Sequence, residues 1–413
     1  MTGPGAAERD HGAARQTTSY DRVVVTTAGG HVIVAPDKFK GTLTAPQVAA
    51  HVAAGLRRGC PGIRIVTLPV ADGGDGTVDS VIAAQDAGFV RMRAAVRGPT
   101  GQDVEASFAM GEAAAIVEAA QACGLQRLPG GEPAPLTATS YGAGQLISAA
   151  VEAGAHGIVL GLGGVACTDG GAGMVQALGV RLLDRGGAQL QPGGAALRRL
   201  DHLDLAGRAL VPVPVLVACD VDNPLLGAGG AAAVYAPQKG ATGQDVAVLE
   251  SGLARWAEVV ERRLAHRYRD LPGAGAAGGM GFAALAFLGA TMRSGIELLL
   301  ERLGFARHLP GARLVVTGEG SLDAQTLRGK APVGVARAAA AAGVPVVAVA
   351  GRAGLSEAEL RRAGISAAYP LTSIQPDLRR CMTEAGPLLE QAARRLASDW
   401  LGAQNPQGKA GSP

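Results

Sequence analysis

Residues 31–42 read His-Val-Ile-Val-Ala-Pro-Asp-Lys-Phe-Lys-Gly-Thr: an apolar run that stops at a proline and an aspartate, then a glycine-bearing loop with two lysines. A short apolar run closed by such a break is a buried strand, residues 31–36. Residues 46–58 follow as a helix, with Thr44 as its N-cap and Pro46 in its first turn. Residues 63–69 are a second strand. Strand, helix and strand make a βαβ unit and imply a parallel sheet.

That unit is too small to bury itself, and the pattern returns only near residue 294. A helix at 294–304 precedes a strand at 313–318, and a helix at 332–342 precedes a strand at 344–351. A helix at 356–363, a strand at 367–371 and a helix at 384–400 complete the run. The expectation is an α/β chain with one discontinuous, Rossmann-like three-layer domain, residues 31–70 plus 294–400, built on a parallel sheet. Residues 71–293 would form an inserted mixed α/β domain. Within it, 90–118 reads as antiparallel strands around the turn Pro99-Thr100-Gly101-Gln102. Helices are expected at 139–153, 171–178 and 245–267, and buried strands at 157–164 and 213–220. Residues 1–30 and 403–413, rich in Gly, Ala, Pro and polar residues, read as disordered tails.

Composition narrows the function. The 413 residues are 48% hydrophobic but only 3% aromatic, so the cores are aliphatic. A net charge of +3, with both signs interspersed, argues against a nucleic-acid partner. Five widely spaced cysteines without a CxxC pair support neither a disulfide framework nor a zinc site, and point to a reducing cytoplasm. No apolar run reaches the ~18 residues of a membrane span. Only five residues are lysine, and four of them, Lys38, Lys40, Lys239 and Lys330, stand in or beside glycine-punctuated loops. A compact ammonium among glycines suits a phosphate or carboxylate contact.

There is no GxxxxGK[ST] phosphate loop, and no GxGxxG follows a strand. That disfavours a nicotinamide-dependent oxidoreductase. Instead, six Gly-rich loops carry acids or lysines. The first holds Asp37, Lys38 and Lys40, just outside a strand's carboxyl end, where open α/β sheets bind ligands. The second, Ala71 to Thr77, holds Asp72 and Asp75 among three glycines. The third runs from Gly161 to Gly173, leaves a strand and opens a helix, so its backbone N–H groups can cradle an anion around Asp169. The fourth, Cys219 to Leu225, offers Asp220 and Asp222 as oxygen ligands. The fifth contributes Lys239, and the sixth Glu319, Asp323 and Lys330. Together they make an inventory for a polyanionic ligand, a divalent cation and an acid–base group, which is that of phosphoryl transfer.

These segments resemble the glycerate kinase type I family. The resemblance rests on APDKFKGT (35–42), ADGGDGT (71–77), TSYGAG (139–144), GLGG…DGGAG (161–173), CDVDNPL (219–225), PQKGA (237–241), GAAGGMG (275–281) and TGEGSLDAQT (317–326) with the GKAP that follows. It spans about residues 31–395. It implies two α/β domains with the active site between them, ATP and Mg²⁺, and D-glycerate as acceptor, giving 2-phosphoglycerate. A related small hydroxy acid, or a non-catalytic metabolite-binding role, is the alternative.

On this reading Gly163, Gly164, Gly170, Gly171 and Lys330 hold the ATP phosphates. One or two carboxylates hold the metal, with Asp220, Asp222 and Glu319 the candidates. Asp37, Lys38 and Lys239 meet the substrate, Lys38 and Lys40 clamp its carboxylate or the transferring phosphoryl group, and one of Asp72, Asp75 or Asp169 takes the hydroxyl proton. The chain departs from the family pattern at Val165, in place of a serine, and at Cys167, in place of a hydroxyl or small residue. Arg313, where an acid is common, is expected at the surface. A monomer or homodimer is expected.

Overall fold

The computed structural model describes residues 30–84, 86–208 and 211–402. The expected tails, apart from Gly30, lie outside these residues. The strands are β1 (His31–Pro36), β2 (Arg64–Thr67), β3 (Val90–Arg97), β4 (Asp103–Met110), β5 (Ala115–Glu118), β6 (Ile158–Gly161), β7 (Arg181–Leu183), β8 (His202–Asp204), β9 (Val215–Ala218), β10 (Thr291–Arg293), β11 (Ala312–Leu322), β12 (Val346–Ala353) and β13 (Ala367–Pro370).

Both ends of the chain meet in one sheet, ordered β13-β12-β11-β1-β2 and parallel throughout. All six residues of β1 are buried, as a central parallel strand requires. One face of this sheet is covered by the helix Ala45–Gly59 and the C-terminal helix Ala385–Leu401, through Val48, Val52, Leu56, Leu389 and Leu396. The first of these helices starts at a capping box: the Thr44 hydroxyl accepts the Gln47 N–H, and the Gln47 side chain accepts the Thr44 N–H at 2.9 Å.

The second sheet is mixed, ordered β10-β9-β6-β5-β4-β3. β3, β4 and β5 pair antiparallel, whereas β5, β6, β9 and β10 pair parallel. Helices Tyr141–Glu152, Gly243–Leu264 and Ala276–Leu288 pack on it around Trp256, Phe282 and Ile147. The two sheets share an apolar cluster: Ile33, Val66 and Val315 from the first lie in one core with Ile116, Val159 and Ala218 from the second. Loops at the strands' carboxyl ends are therefore held against one another by a common core.

Expected boundaries moved in two informative places. β11 runs on to Leu322, four residues past the expected end, because Glu319, Ser321 and Leu322 keep pairing with β12. Glu319 is thus a strand residue, with a strand's fixed direction. The short antiparallel pair β7–β8 was not expected, since three-residue strands carry too little periodicity to read.

Candidate active site

The loops after β1, β2, β6 and β9 converge where the sheets meet. Their closeness depends on glycine at one contact above all. A Cβ on Gly163 would lie 2.6 Å from the Gly74 Cα, and Gly164 has a φ of +81°. Only glycine lets the loops after β2 and β6 pack backbone on backbone here.

Two cavities open at this junction. The larger, about 880 Å³, is lined by Asp37, Lys38, Lys40, Asp72, Asp75 and Glu319, and continues past Ser321, Asp323, Lys330 and Arg352 to Leu378 and Met382. The smaller, about 290 Å³, is lined by Asp220, Tyr235, Gln238, Lys239, Val165 and the Ala276–Ala277 backbone turn. Lys40, Asp72, Gly74, Leu125, Gly163 and Gly164 line both.

Carboxylates crowd this junction. Burial pushes Asp37 up to about 7, with Asp72 and Glu319 adding to the rise while Lys38 and its own backbone N–H oppose it. Asp220 keeps solvent contact, yet the protein packed round its carboxyl pushes it up to about 6, and Asp72 adds. Its Oδ1 accepts the Gly295 N–H at 3.0 Å. Burial raises Glu319 as well, against the Thr326 hydroxyl that donates to it at 2.6 Å and against Lys330, 3.9 Å away. Lys38 donates to the Asp75 carbonyl, tying the loop after β1 to the loop after β2. The Asp75 carboxylate accepts from the Gln126 amide at 2.7 Å.

The other expected site residues fall elsewhere. Asp169 lines neither cavity. It is buried, and its carboxylate accepts four hydrogen bonds: from the Ser140 N–H (2.8 Å) and hydroxyl (2.9 Å), and from the Gly171 and Gly173 N–H groups (3.1 Å each). The carboxylate thus ties the Ser140 segment to the loop after β6, away from both cavities. Gly170 and Gly171 are core glycines too: a Cβ on Gly170 would lie 2.5 Å from the Trp256 ring, and one on Gly171 2.5 Å from the Ala283 Cβ. Of the four expected phosphate glycines, only Gly163 and Gly164 reach a cavity. Asp222 sits exposed on the rim beyond β9 and lines neither cavity, whereas Asp220 lines the smaller cavity and Glu319 the larger. Among the described residues no group of three His, Cys, Asp or Glu side chains is placed to hold a metal by itself.

Lys239 is buried, and its ammonium donates to the Cys167 carbonyl at 2.5 Å and to the Thr168 hydroxyl at 3.4 Å. No carboxylate lies within ion-pair distance of it among the described residues. Burial lowers its pKa. Val165 is buried beside it, its apolar side chain in the core of the second sheet, and Cys167 is fully buried. Arg313 is half-buried rather than at the open surface.

Two elements went unread. Glu118 ends β5 fully buried, and its carboxylate accepts the Gly76 N–H at 3.1 Å and the Val78 N–H at 3.0 Å, fixing the loop that carries Asp72 and Asp75. Burial pushes it up to about 7. The signal was a lone acid closing an otherwise apolar strand. The second is the left-handed conformation taken within the quoted segment 275–281 by Ala277, Gly278 and Gly279; Ala277 lines the small cavity, and the Gly278 backbone lies against Lys239.

A family model described as the glycerate kinase family matches residues 32–401. A curated glycerate kinase of Halalkalibacterium halodurans is 43% identical over 375 residues, covering 89% of this chain and 98% of that protein. A glycerate 2-kinase of Escherichia coli K12 is 43% identical over 371 residues, covering 89% and 97%. A crystal structure assigned to glycerate kinase 2 of Salmonella typhimurium LT2 superposes with a TM-score of 0.76 at 39% identity, covering 90% of this chain and 98% of that one. With that match running over nearly all its described length, the chain belongs to the glycerate kinase family.

Proposed function

We propose that this chain transfers the γ-phosphoryl group of ATP to the 2-hydroxyl of D-glycerate, with the nucleotide in the large cavity and glycerate in the small one. The observation that carries this reading is the shared wall. A donor in one cavity and an acceptor in the other meet at Lys40, Asp72, Gly163 and Gly164. The larger volume lies within the ~300–1,000 Å³ of ligand pockets, and the smaller suits a three-carbon acid.

Lys239 supports the acceptor assignment. A buried ammonium with no carboxylate within ion-pair distance costs several kcal/mol in effective desolvation, which the charge of Asp169 offsets only in part. A glycerate carboxylate in the small cavity supplies the missing charge. Phosphoryl transfer then needs mainly positioning and charge neutralisation. Lys40 faces the group in transit, Lys330 the donor phosphates, and the Gly163–Gly164 backbone lets both substrates approach. Asp72, on the wall of both cavities, takes the hydroxyl proton. Lys38 holds its loop through the Asp75 carbonyl and offsets the acid cluster.

Mg²⁺ fits these residues in kind. Asp37 and Glu319 are hard oxygen donors whose charges already disfavour one another, and a magnesium ion keeps water and phosphate oxygens in its shell and needs only one or two carboxylates. Bound there, it would neutralise charge on the donor phosphates.

Incubation with ATP, Mg²⁺ and D-glycerate, followed by ³¹P NMR, tests the reading. A 2-phosphoglycerate signal is expected. A 3-phosphoglycerate signal would overturn the regiochemistry, and the absence of any glycerate-dependent product would overturn the function.

A further inference from the structure

The large cavity has one apolar end. Leu378 and Met382 lie one turn apart on the helix Leu378–Thr383, and both line the cavity. They are 52% and 54% exposed, whereas Cys381 on the same helix is buried and Leu371 behind them is fully buried. Scattered exposed apolar side chains need no explanation. Two at i, i+4 spacing, lining a cavity that also holds Lys38, Lys40, Asp72, Glu319 and Lys330, do. Among the lining residues from Gln121 to Arg127, on the second sheet's side, Leu125 is the one exposed apolar side chain.

We propose that Leu378 and Met382, backed by Leu371, hold the purine ring of the nucleotide donor, and that this wall decides nucleotide affinity. The proposal rests on the large cavity being the nucleotide site. A nucleoside triphosphate is apolar at one end and anionic at the other, and the cavity has the same polarity. Leu378 and Met382 stand at one end, and Lys330, Lys40 and the acid cluster line the rest. Arg352, exposed on the same cavity with its Nε donating to the Ser321 hydroxyl at 3.1 Å, makes no other hydrogen bond among the described residues, leaving its other donors for ribose or phosphate. The Leu371, Leu378 and Met382 side chains bring no hydrogen-bonding group beyond a weak thioether acceptor, so the ring is held by contact area. A site of that kind separates closely related ligands by about 10–200-fold at most, so adenine and guanine nucleotides are expected to bind within that range of one another.

The test is equilibrium dialysis of the full chain with ATP and, separately, with inorganic tripolyphosphate, which keeps the anion and lacks the base. Leu378→Asp is expected to weaken ATP binding at least tenfold and to leave tripolyphosphate within twofold. Val90→Asp, which places the same charge on an exposed apolar position lining neither cavity, is expected to leave both unchanged. Leu378→Ala, which introduces no charge, should weaken ATP by several-fold, and each variant should melt with the parent because the side chain is half exposed. Equal loss of ATP and tripolyphosphate in Leu378→Asp would overturn the proposal, as would unchanged ATP binding in that variant. Failure of the parent protein to bind either probe would instead overturn the assignment of the large cavity.

Discussion

Replacing Asp169 separates a structural anchor from a catalytic base. The carboxylate accepts four hydrogen bonds from two segments distant in sequence, Ser140 and Gly171–Gly173. In Asp169→Asn one oxygen can keep the three bonds now made to Oδ2. The new amide then faces the Gly171 N–H, donor to donor. A buried group left unpaired in this way costs about 1–3 kcal/mol. In Asp169→Ala three backbone N–H groups lose their acceptor and a polar cavity opens, so the cost rises to about 4–6 kcal/mol, against a total stability of roughly 5–15 kcal/mol. Urea denaturation followed by circular dichroism, with kcat measured well below the melting range, reads both effects. The Asn variant is expected to lose midpoint without a change in m value and to keep kcat within about tenfold. A variant as stable as the parent but slower by a thousandfold would refute the reasoning, because the carboxylate would then have to reach the reacting hydroxyl.

Lys239→Met removes a buried cation that has no carboxylate within ion-pair distance among the described residues and whose burial outweighs the pull of Asp169, so the variant should be as stable as the parent or more so, while the KM for glycerate rises at least a hundredfold and the KM for ATP stays within threefold; steady-state kinetics beside a thermal melt checks both. Glu118 has its folded pKa raised to about 7 from an ordinary 4.5. Its contribution is therefore fully present below pH 4.5 and is lost as pH rises through 7, to a total of about 3 kcal/mol. Glu118→Gln should flatten the stability profile between pH 4.5 and 7 in denaturant titrations at several pH values. Val165→Ser places a hydroxyl where an apolar side chain packs in the core, and should lower stability by about 1–2 kcal/mol with kcat within threefold, as differential scanning fluorimetry and a coupled assay would read.

The parallel sheet was legible because central strands must be apolar on both faces, and β1, β11 and β12 carry continuous Val, Ile and Ala runs that end at glycine or aspartate. The loops bearing Lys38, Lys40, Asp72, Gly163 and Lys330 were legible for the same reason, since they follow such runs. Function within a Gly-rich loop was not. Gly163 and Gly170 look alike in sequence, yet one meets the Gly74 backbone at a cavity wall and the other the Trp256 ring in the core. Asp37 reads as a turn residue after a proline, and only the folded chain brings Asp72 and Glu319 near enough to raise its pKa. Asp222 promised a ligand by type, but its side chain stays at the solvent-facing rim.

The central position of β1 also bears on how the protein is made. β1 pairs with β2 at once, but its other edge must wait for β11, with His31 opposite Ala312. At synthesis rates of about 5–20 residues per second, the stretch from β2 to β11 takes roughly 10–50 s to emerge. Throughout that interval the βαβ unit shows an unpaired hydrophobic strand edge and the bare face of the helix Ala45–Gly59, which waits for the last helix of the chain. The second sheet draws its strands from between those points and can close first. The nascent chain thus carries its sticky end outside a finished body, and the ribosome-bound intermediate is where chaperones would find their longest-lived target.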